Sequence, residues 1–216
     1  KNILKRGNYL FLTFEGIEGS GKSTQIKMLK SALEKIHFDV EITREPGWGE
    51  VGRLIRKIIL DVPDLDLDSF SEISLFCADR AQHVKELIKP MLNKGKIVLC
   101  DRYFDSTLAY QGYGRSLDIE LVKKMAIAST LGLIPNVTIL LDISVNTALS
   151  RIVERPGRNR IDDESFDFHS RVKKAYLGIA KDSPRVHVID GEDNELEVHE
   201  RVKNCLSKNF SIFSRL

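Results

Sequence analysis

The segment Gly16-Ile17-Glu18-Gly19-Ser20-Gly21-Lys22-Ser23 satisfies the spacing G-x-x-x-x-G-K-[ST] at every fixed position. This pattern constrains the fold strongly, because its loop forms only where a strand delivers the chain to a tight turn and a helix leaves it. Both flanks comply: Tyr9-Leu10-Phe11-Leu12-Thr13-Phe14 is an apolar run, and Ile26, Leu29, Leu33 and Ile36 recur at helical spacing after the loop. The glycines let main-chain N–H groups close around phosphate oxygens, and the helix adds its positive dipole end to the same site. Lys22 should reach the outer phosphates, and the Ser23 hydroxyl should ligate Mg²⁺. The expectation is a nucleoside triphosphate held by the residues from Gly16 through Thr24, with the helix starting near Lys22.

Further along, short apolar or β-branched runs predict strands near 9–15, 39–44, 97–101, 137–142 and 186–190. Helical patterns fall near 22–36, 50–60, 69–93, 118–131, 144–153, 166–181 and 194–208. This alternation predicts an α/β protein with a parallel sheet covered on both faces. No Pro/Gly/Ser-rich linker interrupts the 216 residues, so a single domain over 1–216 is expected. With 42% hydrophobic and 30% charged residues and no apolar run of about 18 or more, neither a membrane span nor a cleavable signal is visible. Residue 1 is Lys rather than Met, which leaves the native start and anything upstream of it open. A net charge of +2 is too small for a general nucleic-acid binder, so a small-molecule partner is expected. Cys77, Cys100 and Cys205 are odd in number and lack metal-ligand spacing, reading as free thiols in a reducing, cytoplasmic compartment.

In open parallel sheets ligands bind beyond the carboxyl ends of the strands, which draws attention to Glu15, Arg44-Glu45, Asp101-Arg102, Asp142 and Asp190. Asp142 and Asp190 read as caps of the helices that follow. Ile97-Val98-Leu99-Cys100-Asp101 is an apolar strand ending in Asp, the arrangement that helps hold Mg²⁺ beside a phosphate loop. Arg102 follows directly and can set its guanidinium fork against a second phosphate group; the plainer reading is an ion pair with Asp101 or Asp105. Arg44 precedes Glu45-Pro46-Gly47, a turn that can aim it at the same edge or be an ordinary turn.

Two further features carry charge where it is not expected. In the helix near 69–93 the apolar stripe Ile73, Phe76, Cys77, Val84, Leu87, Ile88, Met91 contains Arg80, which shares a helical face with Phe76. A ring that stacks a planar base beside a guanidinium that bonds its edge explains that placement; the alternative is a core Phe76 with Arg80 paired to Glu72 or Asp79. Arg151, Arg155, Arg158 and Arg160 cluster around Pro156 and Gly157, ahead of Asp162-Asp163-Glu164. Beside a nucleotide site such a loop reads as a mobile lid, about 153–164, that closes over the transferred phosphoryl group and supplies an arginine. A solvated charged loop is the alternative. No D-x-x-G element accompanies the phosphate loop, and Asn159-Arg160-Ile161-Asp162 lacks the lysine of a guanine-reading N-K-x-D, which argues against a GTPase switch.

Taken in order, Phe14 to Thr24, Thr43-Arg44-Glu45-Pro46-Gly47, Phe76 to Arg80, Asp101-Arg102-Tyr103 with Ser106, Ala109-Tyr110-Gln111-Gly112, and Glu164-Ser165-Phe166-Asp167-Phe168 resemble the bacterial thymidylate kinases over nearly the whole chain. The resemblance implies a three-layer P-loop nucleoside monophosphate kinase fold with a five-stranded parallel sheet, ATP-dependent phosphorylation of dTMP to dTDP for dTTP synthesis and DNA replication, Mg²⁺, and a homodimer. It implies that Phe76 stacks on thymine, Arg80 bonds its carbonyl edge, and Ser106, Thr107 and Gln111 lie near the base or phosphate. Arg44 and Arg102 would hold the dTMP phosphate, Glu18 would orient the acceptor near sugar or metal, and Tyr110 would crowd the 2′ position. Lys22 and Arg102 are the implied catalytic cations of the core, and ATP is the triphosphate implied for Gly16 through Thr24. Some relatives carry a catalytic arginine in the phosphate loop and others in the lid; Ser20 in the loop matches the lid type, with Arg158 and Arg160 the expected catalytic pair. Trp48 departs from the second glycine that many relatives have after Glu45-Pro46-Gly47.

Overall fold

The computed structural model describes residues 10–62, 65–154 and 157–216. Tyr9, expected to open the first strand, and Arg155 and Pro156 of the expected lid lie outside the described residues. In chain order, β1 (Leu10–Glu15) and α1 (Lys22–Lys35) flank the glycine loop, followed by β2 (Val40–Arg44) and α2 (Gly49–Arg56), which a π-helical turn extends through Lys57–Asp61. Next, α3 (Ser69–His83) runs through a π turn (Val84–Ile88) into α4 (Lys89–Asn93), and β3 (Ile97–Asp101) leads to α5 (Phe104–Thr107) with its π continuation Leu108–Gly114. The chain then passes through α6 (Ile119–Ser129), β4 (Val137–Asp142), α7 (Val145–Glu154), α8 (Phe166–Asp182), β5 (Val186–Asp190) and α9 (Glu195–Asn209), closing on a short 3₁₀ turn, Ser211–Phe213.

All five strands are parallel, in the order β2-β3-β1-β4-β5, with Leu12 level with Leu99 on one side and Val137 on the other. The period-2 alternation of β1 explains the layers. Leu10, Leu12 and Phe14 face α1 and α9 through Ile26, Leu29, Leu33, Val198, Val202 and Leu206, while Phe11 faces Val84, Ile88, Leu92 and Tyr103 on the opposite side. Because β1 is central and the chain winds first to one side and then to the other, the glycine loop sits at the point where the winding reverses.

The sequence-predicted strands and helices recur within a few residues; apart from the 3₁₀ turn Ser211–Phe213, the omission is α5 and its π continuation, 104–114. Ser106, Thr107, Gln111 and two glycines break its apolar periodicity, since its inner face is turned to a polar cavity rather than to the core. Packing stabilises it instead. A Cβ on Gly114 would come within 2.8 Å of the Phe168 ring on α8. The caps also differ from expectation: α9 is capped by Asn194, and Ser144 Oγ accepts from the Thr147 amide at the start of α7. Asp142 instead pairs with Lys173, and Asp190 accepts from the Glu192 amide, a turn contact available because both side chains fall outside the helices' first turns.

Candidate active site

A cavity of about 680 Å³ opens beyond the carboxyl ends of the strands. Its wall takes residues 18–25 after β1, Arg44 to Pro46 at the end of β2, Asp101 to Tyr103 at the end of β3, and Gly191 and 193–195 after β5. Just behind the first of these walls, Gly16 is held at φ 137°, and a Cβ there would lie 2.5 Å from the Leu141 carbonyl oxygen, so only glycine fits. Gly21 adopts the left-handed conformation (φ 87°) before α1, whose first turn has no side-chain cap. Its N–H groups therefore await an external acceptor.

Lys22 is curled over its own loop, with Nζ donating to the carbonyls of Gly16 (3.1 Å) and Ile17 (2.9 Å) and to Ser20 Oγ (3.2 Å). Gly16 and Ile17 thus serve the lysine and are not in the cavity wall, whereas residues 18–24 are. Burial, reinforced by the Arg102 charge and opposed by Asp101 and Glu18, lowers the Lys22 pKa to about 8. Ser23 Oγ donates to Asp101 Oδ2 at 2.6 Å. A hydroxyl and a single carboxylate are hard oxygen donors that suit Mg²⁺, which keeps waters and phosphate oxygens for its remaining positions. No cluster of three or more His, Cys, Asp or Glu that could hold a metal occurs among the described residues.

Arg102 is not paired with Asp101 or Asp105, the alternative its neighbours suggested. Asp105 is held by Arg185 (2.6 and 2.8 Å). Arg102 instead donates to Glu18 Oε1 (2.7 Å), the Gly16 carbonyl (2.9 Å), Tyr176 OH (3.1 Å) and Ser106 Oγ (3.3 Å), and lies 4.9 Å from the centroid of the Tyr110 ring. Its backbone is left-handed, φ 72°, a conformation that a non-glycine residue keeps only when its surroundings enforce it. Tyr110 OH donates to the other Glu18 oxygen at 2.6 Å. Burial alone would raise the Glu18 pKa, but Arg102, Lys22 and this hydroxyl outweigh it and hold the carboxyl below its ordinary value. Behind them Glu15 is fully buried, accepting from Tyr103 N (2.8 Å), Ser106 Oγ (2.6 Å) and Tyr176 OH (2.8 Å); burial, then repulsion from Asp105, push its pKa up to about 7.

At the far end of the cavity Phe76 and Arg80 share the wall with Thr107 and Gln111. Arg80 pairs with neither Glu72 nor Asp79. Its Nε donates to Glu45 Oε2 at 2.8 Å, Nη2 to Thr107 Oγ1 at 2.9 Å and Nη1 to Ser129 Oγ at 3.2 Å, at 1% exposure. Glu45 is completed by His83 (3.0 Å), whose other ring nitrogen meets Thr43 Oγ1 (2.6 Å) and whose ring stacks on Trp48. Trp48, the departure noted in the sequence, thereby packs on a buried ring. Arg44 is exposed in the wall beside Arg56, which bonds the Pro46 carbonyl at 3.0 Å.

Arg158 and Arg160, expected to act from the lid, are held by carboxylates outside the cavity wall. Arg158 pairs with Asp163 and Arg160 with Glu72 and the Ile59 carbonyl, and neither lines the cavity. Arg151 does, bonding the Gly19 carbonyl at 3.1 Å. Glu45 was marked by the sequence only as a strand-end residue and Glu72 only as a possible partner of Arg80; Arg56, Tyr176 and Asn194 were given no role. Arg151 carried a signal as part of the basic cluster; Arg56 and Tyr176 carried none, because their partners lie 10 and 70 or more residues away.

The family model described as Thymidylate kinase matches residues 14–202. The thymidylate kinase of Desulfovibrio desulfuricans is 49% identical over 211 residues, covering 92% of this chain and 97% of the relative. That of Halothermothrix orenii is 48% identical over 206 residues, covering 92% and 99%. A crystal structure of thymidylate kinase from Ehrlichia chaffeensis has a TM-score of 0.74 and 35% identity, over 92% of this chain and 98% of that one.

Proposed function

The chain belongs to the thymidylate kinase family, and from that premise we infer that it uses ATP to phosphorylate dTMP, giving dTDP and ADP. The observation that supports this most is that one cavity joins the glycine loop to a wall made of Phe76, Arg80 and Gln111. Both substrates are polyanions, so cations have to bring the two phosphates together. In our reading Lys22 and the α1 N-terminus hold the ATP phosphates, while Arg44 and Arg102 hold the dTMP phosphate. A dTMP phosphate oxygen attacks the γ-phosphorus in line; the bond to the β–γ bridging oxygen breaks and ADP leaves. Ser23 and Asp101 would hold Mg²⁺, which when bound supplies charge neutralisation between the phosphates. Glu18, fixed by Arg102 and Tyr110, orients the acceptor, and Tyr110 crowds the 2′ position. Phe76 stacks on thymine, and Arg80 donates to its carbonyl edge.

We treat residues 1–216 as one domain with a lid at about 153–164, in which Arg158 and Arg160 act only on closure. Reaching the cavity requires each to exchange its carboxylate, Asp163 or Glu72, for phosphate oxygens. A homodimer is supported by exposed Val51, Leu54 and Ile58 on α2 and its extension, Phe70 on α3, and Leu121 and Ile127 on α6, with α3 in contact with both α2 and α6. Sedimentation should give twice the 24.5 kDa chain mass, and Leu54→Glu should yield monomer; a wild-type monomer would refute the dimer. No helix among the described residues is long and apolar enough to cross a membrane, and the three free thiols support a cytoplasmic setting.

An ADP-release assay across dTMP, dUMP, dCMP, dGMP and thymidine tests the assignment, and preference for any acceptor over dTMP would sink it. The lowered Lys22 pKa makes a separate prediction. Below about pH 8 the lysine is charged both free and bound, so ATP affinity is flat; above it the free lysine loses its proton and regains it on binding. Affinity should then weaken by up to about tenfold per pH unit, and calorimetry at pH 8 in buffers of different ionisation enthalpy should read an uptake of about half a proton. No proton uptake at that pH would contradict it.

A further inference from the structure

Glu72 stands one helical turn before Phe76 on α3 with no solvent exposure, and three side chains converge on it. Gln111 Nε2 donates to Oε1 at 2.8 Å, Arg115 donates through Nε to Oε1 (3.2 Å) and through Nη2 to Oε2 (3.3 Å), and Arg160 Nη2 donates to Oε2. Burial alone would raise its pKa, but the Arg115 charge and the bonds from Gln111 and Arg160 outweigh it, so the carboxyl is ionised and can only accept.

We propose that Glu72 is a positioning residue that dictates which end of the Gln111 carboxamide faces the cavity, and through it the enzyme's choice of pyrimidine at N3. A carboxamide has a donor end and an acceptor end of nearly the same shape. Gln111 is 2% exposed and lines the cavity; its NH₂ is given to Glu72, and its carbonyl oxygen accepts from no group among the described residues. Turning the amide over would lose that bond and set a carbonyl against a carboxylate. The cavity therefore meets an acceptor at Gln111. Thymine and uracil carry N3–H and can donate to it, whereas cytosine has a bare N3 acceptor and is repelled. The bond to Glu72 by itself sets the orientation of the amide; Arg115 and, until the lid closes, Arg160 fill the remaining acceptor positions of the carboxylate from outside the site. The inference rests on the dTMP reading and deepens it: Arg80 addresses the carbonyl edge at C4, and the Glu72–Gln111 pair addresses N3.

The test is kcat/KM for dTMP, dUMP and 5-methyl-dCMP, the last retaining the methyl group while changing N3 and C4. In Glu72→Gln the new amide can donate as well as accept, so both orientations of Gln111 are allowed. The preference for dTMP over 5-methyl-dCMP should fall at least about tenfold, while the ratio of dTMP to dUMP is unchanged. A common fall for all three acceptors would mean a merely structural role and overturn the proposal. Arg115→Ala removes two bonds to Glu72 and leaves that of Gln111, so its acceptors should fall together; a matching loss of discrimination there would also overturn it. Glu72→Asp, which keeps the charge but draws the carboxylate away from Gln111, should reproduce the loss of discrimination if Glu72→Gln does not fold. In the wild-type complex with dTMP the Gln111 side-chain NH₂ should exchange slowly by NMR, and fast exchange would overturn the orientation without any variant. A wild-type enzyme that prefers another acceptor removes the dTMP reading itself, an outcome separate from all of these.

Discussion

Lys22→Ala is expected to lower kcat by about 10²–10³, because the lysine is the cation of the glycine loop placed where charge develops on the transferred phosphoryl group. The fold should tolerate the change. Lys22 is 7% exposed and its pKa is lowered from 10.5 to about 8, so its charge is less favourable in the native than in the unfolded chain. By linkage that penalty is complete below about pH 8 and is relieved as pH rises toward 10.5, which makes removal of the amine at neutral pH no threat to stability. The lost contacts to the Gly16 and Ile17 carbonyls can be replaced by water from the cavity. The expected result is therefore a folded protein with an unchanged or slightly higher Tm and very low turnover. A kcat within tenfold of wild type would remove Lys22 from the chemistry, and a collapsed Tm would show that the loop needs the lysine for folding.

Arg80→Ala is expected to act on stability and on substrate choice together. The side chain is the largest fully buried one among the described residues, and its departure leaves the Glu45 carboxylate, 5% exposed, with the His83 ring as its remaining side-chain partner. Breaking a buried ion pair from one side destabilises by about 3–5 kcal/mol, and the His83 contact puts this case near 3. On the substrate side, the donors that Arg80 offers beyond Glu45, Thr107 and Ser129 are lost, so the KM for dTMP should rise more than kcat falls, and dCMP should be discriminated less. Measuring Tm with kcat and KM for both acceptors separates the two effects. Unchanged dTMP kinetics would refute base reading by Arg80, whatever the Tm.

These two residues differ in how far they could be read from the chain. Lys22 sits in a contiguous motif whose spacing fits one loop geometry, and the strand and helix beside it were legible from periods of 2 and 3.6. Arg80 was legible only as a misfit, a charge within an apolar stripe. Its partners were beyond reach, and the local candidates Glu72 and Asp79 were not among them; Glu45 lies 35 residues away and Thr107 27. The segment 104–114 failed for the related reason that its inner face is polar, which periodicity reads as loop. For the lid, composition located the arginines but could not orient them: Arg160 turns to Glu72, and Arg151, one helix earlier, lines the cavity.

What the sequence determined by itself was therefore the local and the periodic: the phosphate loop, the order of strands and helices, and the faces each presents to the core. These follow from sterics and from burial of apolar side chains along a single element, and neither needs a distant partner. The tertiary structure alone decided the pairings, Arg102 with Glu18, Arg80 with Glu45, and Gln111 and Arg160 with Glu72, spanning 84, 35, 39 and 88 residues. A buried charge or amide must be satisfied by whichever complementary group packing brings within about 3 Å, and that distance is set by how helices seat on the sheet rather than by neighbours in the chain.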